Sequence, residues 1–507
     1  MSLSERAGNV RVLRRAITKH PAVLILLLTG CVAVGPNYQR PQIAVPTQFR
    51  ETGPWRSAAP SDLDARGSWW EVFGDPVLNA LERQAKETNF GLRAAAARVE
   101  QAHAIAGIAG SFLAPELNFN PSAARYGVSK NRPDQPSKQP SNTAYAISDY
   151  RVPLYASYEL DIWGRMRRQN EAAENYAKSS IAAYQTVLLT LEGDIAQTYF
   201  LIRASDEDAR ILRDNIGLRE HARDLIAARR KNGLSNDLDL AKVETELAIA
   251  KAEAESTSKR RDELELSLAV LIGAQPENFN MKPAPYELRS PIIPTGLPSD
   301  LLERRPDVAE AERRLIARNA EIGVAKSAYF PSIRLTAAVG VQSFELGDLL
   351  NQDSTIWTIG ASVWQPVFNS GRIGFDVKRA KAAYAENLAI YRERILKAFQ
   401  EVESSLSGLR HLAQQSEYQL TAMENATKAT TMAMARFKGG LVPLIDAIDA
   451  QRVSLATQRQ ALQVTSSQVL TTVALIKSLG GGWGSKRLTQ SDSPSMSASV
   501  TTNTQVK

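Results

Sequence analysis

The residues able to do covalent or metal chemistry are few and far apart along this 507-residue sequence. The one cysteine, Cys31, excludes an intramolecular disulfide, a Cys₂His₂ zinc site and an iron–sulfur cluster. His20, His103, His221 and His411 form no HExxH pair, and no GxxxxGK(S/T) loop is present to cradle a phosphate. Asp206, Glu207 and Asp208 would offer a hydrolase its paired acids, but a charged run within a long helical pattern reads as a solvated face. Met432 and Met434 carry the soft sulfurs that copper or silver prefers; beside a helix end they read as packing. More informative are Asp446 and Asp449, three residues apart and so on one helical face, just past Gly439-Gly440 and Pro443. Such carboxylates either gather cations or complement the positive end of a helix, at about 0.3–1 kcal/mol each. Catalytic residues, metal ligands and a cofactor are accordingly not expected.

Apolar residues make up 44% of the chain and charged residues 23%, a composition that folds. The net charge of +7 is weak support for nucleic-acid binding, because +4 of it lies in the first thirty residues. There Arg11, Arg14, Arg15 and Lys19 precede an apolar run, Ala22 to Leu28, too short to span a bilayer. Leu28-Thr29-Gly30-Cys31 follows and resembles a bacterial lipobox, whose cysteine is acylated and becomes the mature N-terminus. The other reading is a plain signal peptide with a cysteine there by chance. By resemblance to bacterial lipoproteins, the non-aspartate Val32 after that cysteine favours the outer membrane. Residues 1–30 are expected to be a lipoprotein signal peptide, with Cys31 the lipid attachment site. No later apolar run reaches 18 residues, so no transmembrane helix is expected.

The elements that must position these residues are written twice. Ala228-Arg229-Arg230-Lys231-Asn232-Gly233-Leu234 returns as Ala435-Arg436-Phe437-Lys438-Gly439-Gly440-Leu441, at an offset of 207. Gly164-Arg165 maps onto Gly371-Arg372, and Asp239 onto Asp446, at the same offset. Upstream, Ile108-Ala109, Ser111 and Pro115 match Val324-Ala325, Ser327 and Pro331 at 216, which places nine extra residues in the first copy, around the proline-rich stretch 131–140. No proline interrupts Arg165 to Lys231 or Arg372 to Lys438, 67 residues each, or about 100 Å if helical. Ile181, Tyr184, Leu188, Leu191, Ile195, Tyr199 and Ile202 form a seam at intervals of 3 or 4. Their equivalents Leu388, Tyr391, Ile395, Ala398, Val402, Leu406 and Leu409 stay apolar. Such helices suit a coiled-coil tube or stalk, and a plain coiled-coil rod fits the seam as well.

Shorter stretches alternate instead. Tyr150, Val152, Leu154, Ala156, Tyr158 and Leu160 are interleaved with Arg151, Ser157, Glu159 and Asp161. In the second copy Ile333, Leu335, Ala337, Val339 and Val341 alternate with Arg334, Thr336, Ala338, Gly340 and Gln342. Apolar-out, polar-in strands of about ten residues are the mark of a transmembrane β-barrel, although a soluble hairpin with one buried face reads the same way. Four strands per chain fall short of the roughly eight that close a barrel, so several chains would have to share one.

Taken together, these residues resemble the TolC-like outer membrane factors, in the lipoprotein branch that includes OprM- and NodT-type proteins. The resemblance covers nearly all of Cys31 to Trp483. It rests on Cys31-Val32-Ala33-Val34-Gly35-Pro36-Asn37-Tyr38 with Pro41, and on Trp69-Trp70 with Phe73, Asp75, Pro76 and Leu78. It rests further on Gly296-Leu297-Pro298-Ser299-Asp300-Leu301-Leu302-Glu303-Arg304-Arg305-Pro306-Asp307 and on Gly480-Gly481-Gly482-Trp483. The likeness implies a mainly α-helical fold with a membrane β-barrel contribution: a homotrimer whose four strands per chain close one 12-stranded barrel, long helices forming a periplasmic α-barrel, and a mixed equatorial domain. It implies an N-terminal equatorial segment at 31–75, a first repeat at 76–272 with strands at about 115–126 and 146–163, and an equatorial linker at 273–305. A second repeat follows at 306–483 with strands at about 331–345 and 354–368, then a disordered tail at 484–507. Shorter helices would stack end to end, Phe90–Leu113 with Asp237–Ile272 and Asp307–Tyr329 with Leu444–Leu479.

The function so implied is a passive exit duct of a tripartite efflux system in the outer membrane, carrying small toxic compounds. A periplasmic adaptor and an inner-membrane transporter would open it, and nucleic acid plays no part. Gly233-Leu234 and Gly440-Leu441 would be the adaptor-contacting tips of two helical hairpins. Asp446 and Asp449 would ring the periplasmic aperture, and Asp239 resembles the residue that ties neighbouring helices shut. The chain departs from the family pattern at Val442, where arginine is expected, and at Phe437, where tyrosine is common, so packing more than salt bridges would hold the closed state. A duct for type I protein secretion is the alternative within the family. A periplasmic coiled-coil adaptor or scaffold lipoprotein is the alternative outside it, but this chain lacks the β-rich lipoyl-like composition of an adaptor.

Overall fold

The computed structural model describes residues 33–42, 68–127, 146–284, 291 and 305–481. Cys31, most of the 296–307 block and the polar tail lie outside them. The described helices are α1 (Pro76–Thr88), α2 (Phe90–Ser111), α3 (Arg165–Lys231), α4 (Asp237–Leu271), α5 (Pro306–Ser327), α6 (Arg372–Lys438) and α7 (Leu444–Ser478). The strands are β1 (Glu116–Phe119), β2 (Ser122–Gly127), β3 (Ala146–Leu160), β4 (Ser332–Ser343) and β5 (Thr355–Trp364). The fold is therefore mainly helical. Helices α3 and α6 each run 67 residues without a break, and the apolar seam explains how: Ile195, Tyr199 and Ile202 of one, and Ile395, Val402 and Leu406 of the other, are buried. Helices of this length draw their stability from such packing rather than from propensity.

The chain divides into two compact units, Met1–Pro41 with Glu100–Ala177 and Glu312–Ile390, and Gln42–Val99 with Lys178–Ala311 and Tyr391–Lys507. The first holds the sheet, antiparallel throughout, in the order β1-β3-β4-β5 with β2 also paired to β3. Strands β1 and β2 lie along one edge of β3, interrupted at Asn120-Pro121, where the proline has no N–H for the ladder. The register sets Val152, Leu154, Ala156, Tyr158 and Leu160 opposite Val341, Val339, Ala337, Leu335 and Ile333. These in turn face Thr355, Trp357, Ile359, Ala361 and Val363. Along β3, β4 and β5 one face of the sheet is thus mostly apolar, joined by Leu117 and Phe119 of β1, whereas β2 brings Arg125 to it opposite Ser148; Arg151, Glu159, Arg334 and Gln342 lie on the other face.

Residues 33–41 form a strap against the start of α3 and the C-terminal half of α5. Val34 N–H donates to Trp163 O at 2.9 Å, Asn319 Nδ2 to Pro36 O at 2.8 Å, and Arg168 Nη2 to Asn37 Oδ1 at 2.6 Å. Three glycines allow the approach. A Cβ on Gly35 would lie 2.5 Å from Gly323 Cα, one on Gly323 2.7 Å from Val34 O, and one on Gly164 2.5 Å from Ala33 Cβ.

In the second unit, Trp69, Trp70, Leu78, Leu81, Ile195, Phe200, Leu268, Val469 and Val473 share one core. Asp75 caps α1 through Val77 N–H at 2.8 Å and accepts from the Tyr199 hydroxyl at 2.5 Å. Two helix junctions follow the same logic. Thr88 Oγ1 and Asn89 Nδ2 donate to Ile272 O and Leu271 O, the carbonyls left open where α4 ends, while Asn89 Oδ1 accepts from Leu92 N–H in the first turn of α2. Arg305, just ahead of α5, donates to Ser478 O at the end of α7, at 3.1 Å.

The acids at 206–208 are not the solvated face expected from their charge. Asp206 is buried and pairs with Arg203 at 3.0 Å and Arg261 at 2.7 Å. Asp208 takes Arg459 at 2.7 Å and the Thr257 hydroxyl at 2.8 Å. Glu207 is half-buried and bound at 2.7 Å to Arg210, a partner on its own helix. Arg203 and Arg261 also bind the Lys282 and Met281 carbonyls, so the cluster clips the segment beyond α4 to the helices.

Glu82, on the inner side of α1, is fully buried, and neither carboxyl oxygen has a hydrogen-bond partner among the described residues. Burial, reinforced by Glu192 and opposed by Lys86, pushes its pKa up to about 10. Burial raises Glu192 as well, although Lys86 at 3.0 Å and the Trp69 indole N–H at 2.9 Å favour its charged form. A carboxyl that keeps its proton when folded and releases it when unfolded makes stability fall as pH rises, here from about 4.5 to about 10. Glu82→Gln removes that ionisation from both states. Thermal melts should show the variant above the wild type at about pH 9 and level with it near pH 4. Equal midpoints at the alkaline pH would mean that Glu82 is ionised in the fold.

Candidate functional site

The two helical turns predicted as tips close in the same way. Gly233 and Gly440 both have φ +71°. Leu234 N–H donates to Arg229 O at 2.8 Å and Gly233 N–H to Arg230 O at 2.9 Å. In the second turn Leu441 N–H donates to Arg436 O at 2.9 Å and Gly440 N–H to Phe437 O at 3.0 Å. This pair of bonds satisfies the last helical carbonyls. A Cβ on either glycine would meet nothing within 4 Å, so the left-handed backbone alone is what calls for glycine. Leu234 and Leu441 project from the turns, 76% and 78% exposed.

Helix α4 then starts under an Asn236 cap, whose side chain accepts from Asp239 N–H at 2.8 Å. The Asp239 carboxylate accepts from Ser235 Oγ at 3.2 Å and is tied into its own turn. Helix α7 starts after Pro443 with no side-chain cap. Phe437 is buried, with the Arg229 guanidinium 4.9 Å from its ring centroid. Val442 packs into the same cluster as Phe437, Ile226, Val243, Leu444 and Ile448. Asp239 and Phe437 line a cavity of about 250 Å³ together with Arg229, Ser235 and Lys242. Asp446 and Asp449 are not part of it. They lie on the exposed side of α7, opposite the buried Leu444, Ala447 and Ile448. Arg452 reaches Asp449 at 3.4 Å. Cys31 falls outside the described residues.

Ion pairs above the tips were not legible from charge runs. Arg452 pairs with Glu246, which also takes Arg219 at 3.0 Å. Seven residues further along both helices, Arg459 pairs with Glu253 at 2.9 Å. These rungs join α3, α4 and α7, and the signal available was the heptad spacing of Glu246 with Glu253 and of Arg452 with Arg459. The Arg452 hydrogen bond holds Glu246 below the usual carboxylate range, and burial pulls Arg219 down. Among the described residues no group of three or more His, Cys, Asp or Glu is placed to hold a metal. No described helix is long and apolar enough to cross a membrane.

Long helices, a one-faced apolar sheet and paired glycine turns agree with the comparisons to known proteins. The family model described as outer membrane efflux protein matches residues 81–274 and 297–481. The chain is 32% identical over 467 residues to the pyoverdine export outer membrane protein OpmQ of Pseudomonas aeruginosa, covering 91% of this chain and 97% of that protein. It is 30% identical over 462 residues to the probable outer membrane lipoprotein SilC of Salmonella typhimurium, covering 90% and 97%. Its fold is similar to the solved outer-membrane channel OprN, with a TM-score of 0.82 and 26% identity over 89% of this chain and 99% of that one. The chain belongs to the outer membrane efflux protein family and is an outer membrane channel component of an efflux system.

Proposed function

We propose that three copies of this chain close one barrel and together form a passive exit duct for small toxic compounds. The observation that carries this reading is the strand register, which sets the apolar rows of β3, β4 and β5 on one face. Four strand positions per chain, with β5 and the β1–β2 pair unpaired at the two edges among the described residues, give twelve strands in a trimer, enough to close a barrel and remove every edge. The apolar face then meets lipid and the polar face lines the lumen. Acylation of Cys31 supplements this anchor. The two-copy organisation and the layout of equatorial segments, repeats and tail are those read from the sequence.

In this reading the tips lie in the periplasm. Leu234 and Leu441 offer the same exposed turn twice to a repeating adaptor surface, and an inner-membrane transporter supplies the energy. Asp446 and Asp449 from three chains ring the aperture, and a carboxylate ring favours cations. Phe437, Val442 and Asp239 hold the turns behind them. In planar bilayers, combining Asp446→Ala with Asp449→Ala should lower cation selectivity and remove block by multivalent cations added on the helical side. Selectivity and block equal to wild type would leave the two aspartates only their role at a helix start.

A further inference from the structure

Helix α7 meets different neighbours on its two sides. Arg452 and Arg459 reach α4, where the ion-pair rungs lie. Gln451, Ser454, Gln458, Leu462 and Thr465 recur at intervals of 3 or 4 and line a cavity of about 630 Å³ that α3 and α6 complete. Every lining residue belongs to the second compact unit. Leu218 and Thr430 lie thirteen and eight residues before the ends of α3 and α6, so the cavity begins about 12–20 Å behind the tips. Its volume suits a small organic molecule.

The walls are apolar in part and otherwise rich in acceptors. Ile211, Leu218, Met423 and Leu462 supply the apolar surface. The hydroxyls of Thr427, Thr430 and Thr465 donate to carbonyls of their own helices. Gln458 Nε2 donates to Ser454 Oγ at 3.2 Å. With these protons committed, the groups offer the cavity their oxygen lone pairs. Asn215 lines the cavity and is 9% exposed, and its Oδ1 has no hydrogen-bond partner among the described residues. A buried acceptor left unpaired is costly, and the broad torsion of an asparagine amide lets this oxygen turn to an entering donor.

Three of the lining residues are charged: Glu207, Arg210 and Asp214. Arg210 holds Glu207 at 2.7 Å and Asp214 Oδ2 at 2.8 Å. Two carboxylates against one guanidinium leave a net negative charge at the rim, with the second Asp214 oxygen open to a ligand. The neighbouring rung repeats the imbalance, with Asp208 and Glu253 sharing Arg459.

We propose that this cavity binds amphiphilic amines. The protonated nitrogen is held beside Asp214, with the Asn215 and threonine oxygens as further acceptors, and the apolar body lies along Ile211, Met423 and Leu462. An anion is disfavoured, because the guanidinium of Arg210 is already divided between two carboxylates. The site is separate from the aspartates of the aperture, and no strand contributes to it.

Dansylcadaverine, a primary amine on an alkyl and aromatic body, is the probe, and its N-acetyl derivative is the neutral control. Fluorescence titration of the purified full chain in an uncharged detergent should show saturable binding of the amine, tighter than that of the acetylated form by about tenfold, the scale of one ion contact. Asp214→Asn should weaken binding of the amine by the same factor and leave the acetylated form unchanged. Thr427→Trp, at an exposed position on the cavity wall, should remove binding of both, with circular dichroism equal to wild type. Equal affinity of wild type and Asp214→Asn for the amine would overturn the proposal. Absence of saturable binding, or binding kept in a folded Thr427→Trp chain, would do the same. The titration needs no current through a channel, so its failure leaves the duct reading untouched.

Discussion

Val339→Arg should abolish the trimer in outer membrane fractions. Val339 lies between Leu154 and Trp357 in the register, on the face that is apolar across β3, β4 and β5, and is 53% exposed in the single chain. A charge at a lipid-facing midplane position of a barrel costs about 2–4 kcal/mol, and a trimer bears that cost three times. Marginal stabilities of about 5–15 kcal/mol leave little room for it. Leu154→Arg, one strand away in the same row, should behave alike. Native gels of membrane fractions measure the outcome, and normal trimer levels for both variants would mean a soluble sheet.

Gly323→Val should release the strap. The approach of Val34 and Gly35 to Gly323 is backbone against backbone, so no rotamer change relieves the clash. Lifting the strap breaks the Asn319 bond to Pro36 and strips Asn37 from Arg168, whose residue is buried. Overpacking and a buried group left unsatisfied each cost about 1–3 kcal/mol. Limited proteolysis between Ala33 and Pro41 should therefore speed up by about tenfold or more, with helix content unchanged. Cleavage as slow as in the wild type would show that the strap is held elsewhere.

Long periodic elements could be read from the sequence because their information is local. The uninterrupted seam from Ile181 to Ile202 and its second-copy counterpart predict α3 and α6, and the alternation from Tyr150 to Leu160 predicts which residues share a face. The strap could not be read, because nothing near Gly164 or Gly323 in the sequence points to residues 33–37. The burial of Asp206 and Asp208 is hidden from the sequence for a related reason. Their partners Arg261 and Arg459 are 55 and 251 residues away, and a charge run looks solvated until such partners are in place. Glu82 gave no local sign of burial beyond Lys86 one turn on. At the tips the turns were legible from glycine and repetition, whereas the heptad-spaced rungs behind them needed three helices to be assembled.

Both tips are closed by main-chain hydrogen bonds and by the handedness of one glycine. The side chains displayed there, Leu234 and Leu441 among them, make none of the hydrogen bonds that close the turn. Substitutions at these two positions, proline excepted because the turn needs the N–H, therefore meet little opposition from the turn itself. A lineage can alter what its tips recognise while the hairpins beneath stay the same, so partner choice and architecture can evolve on separate clocks.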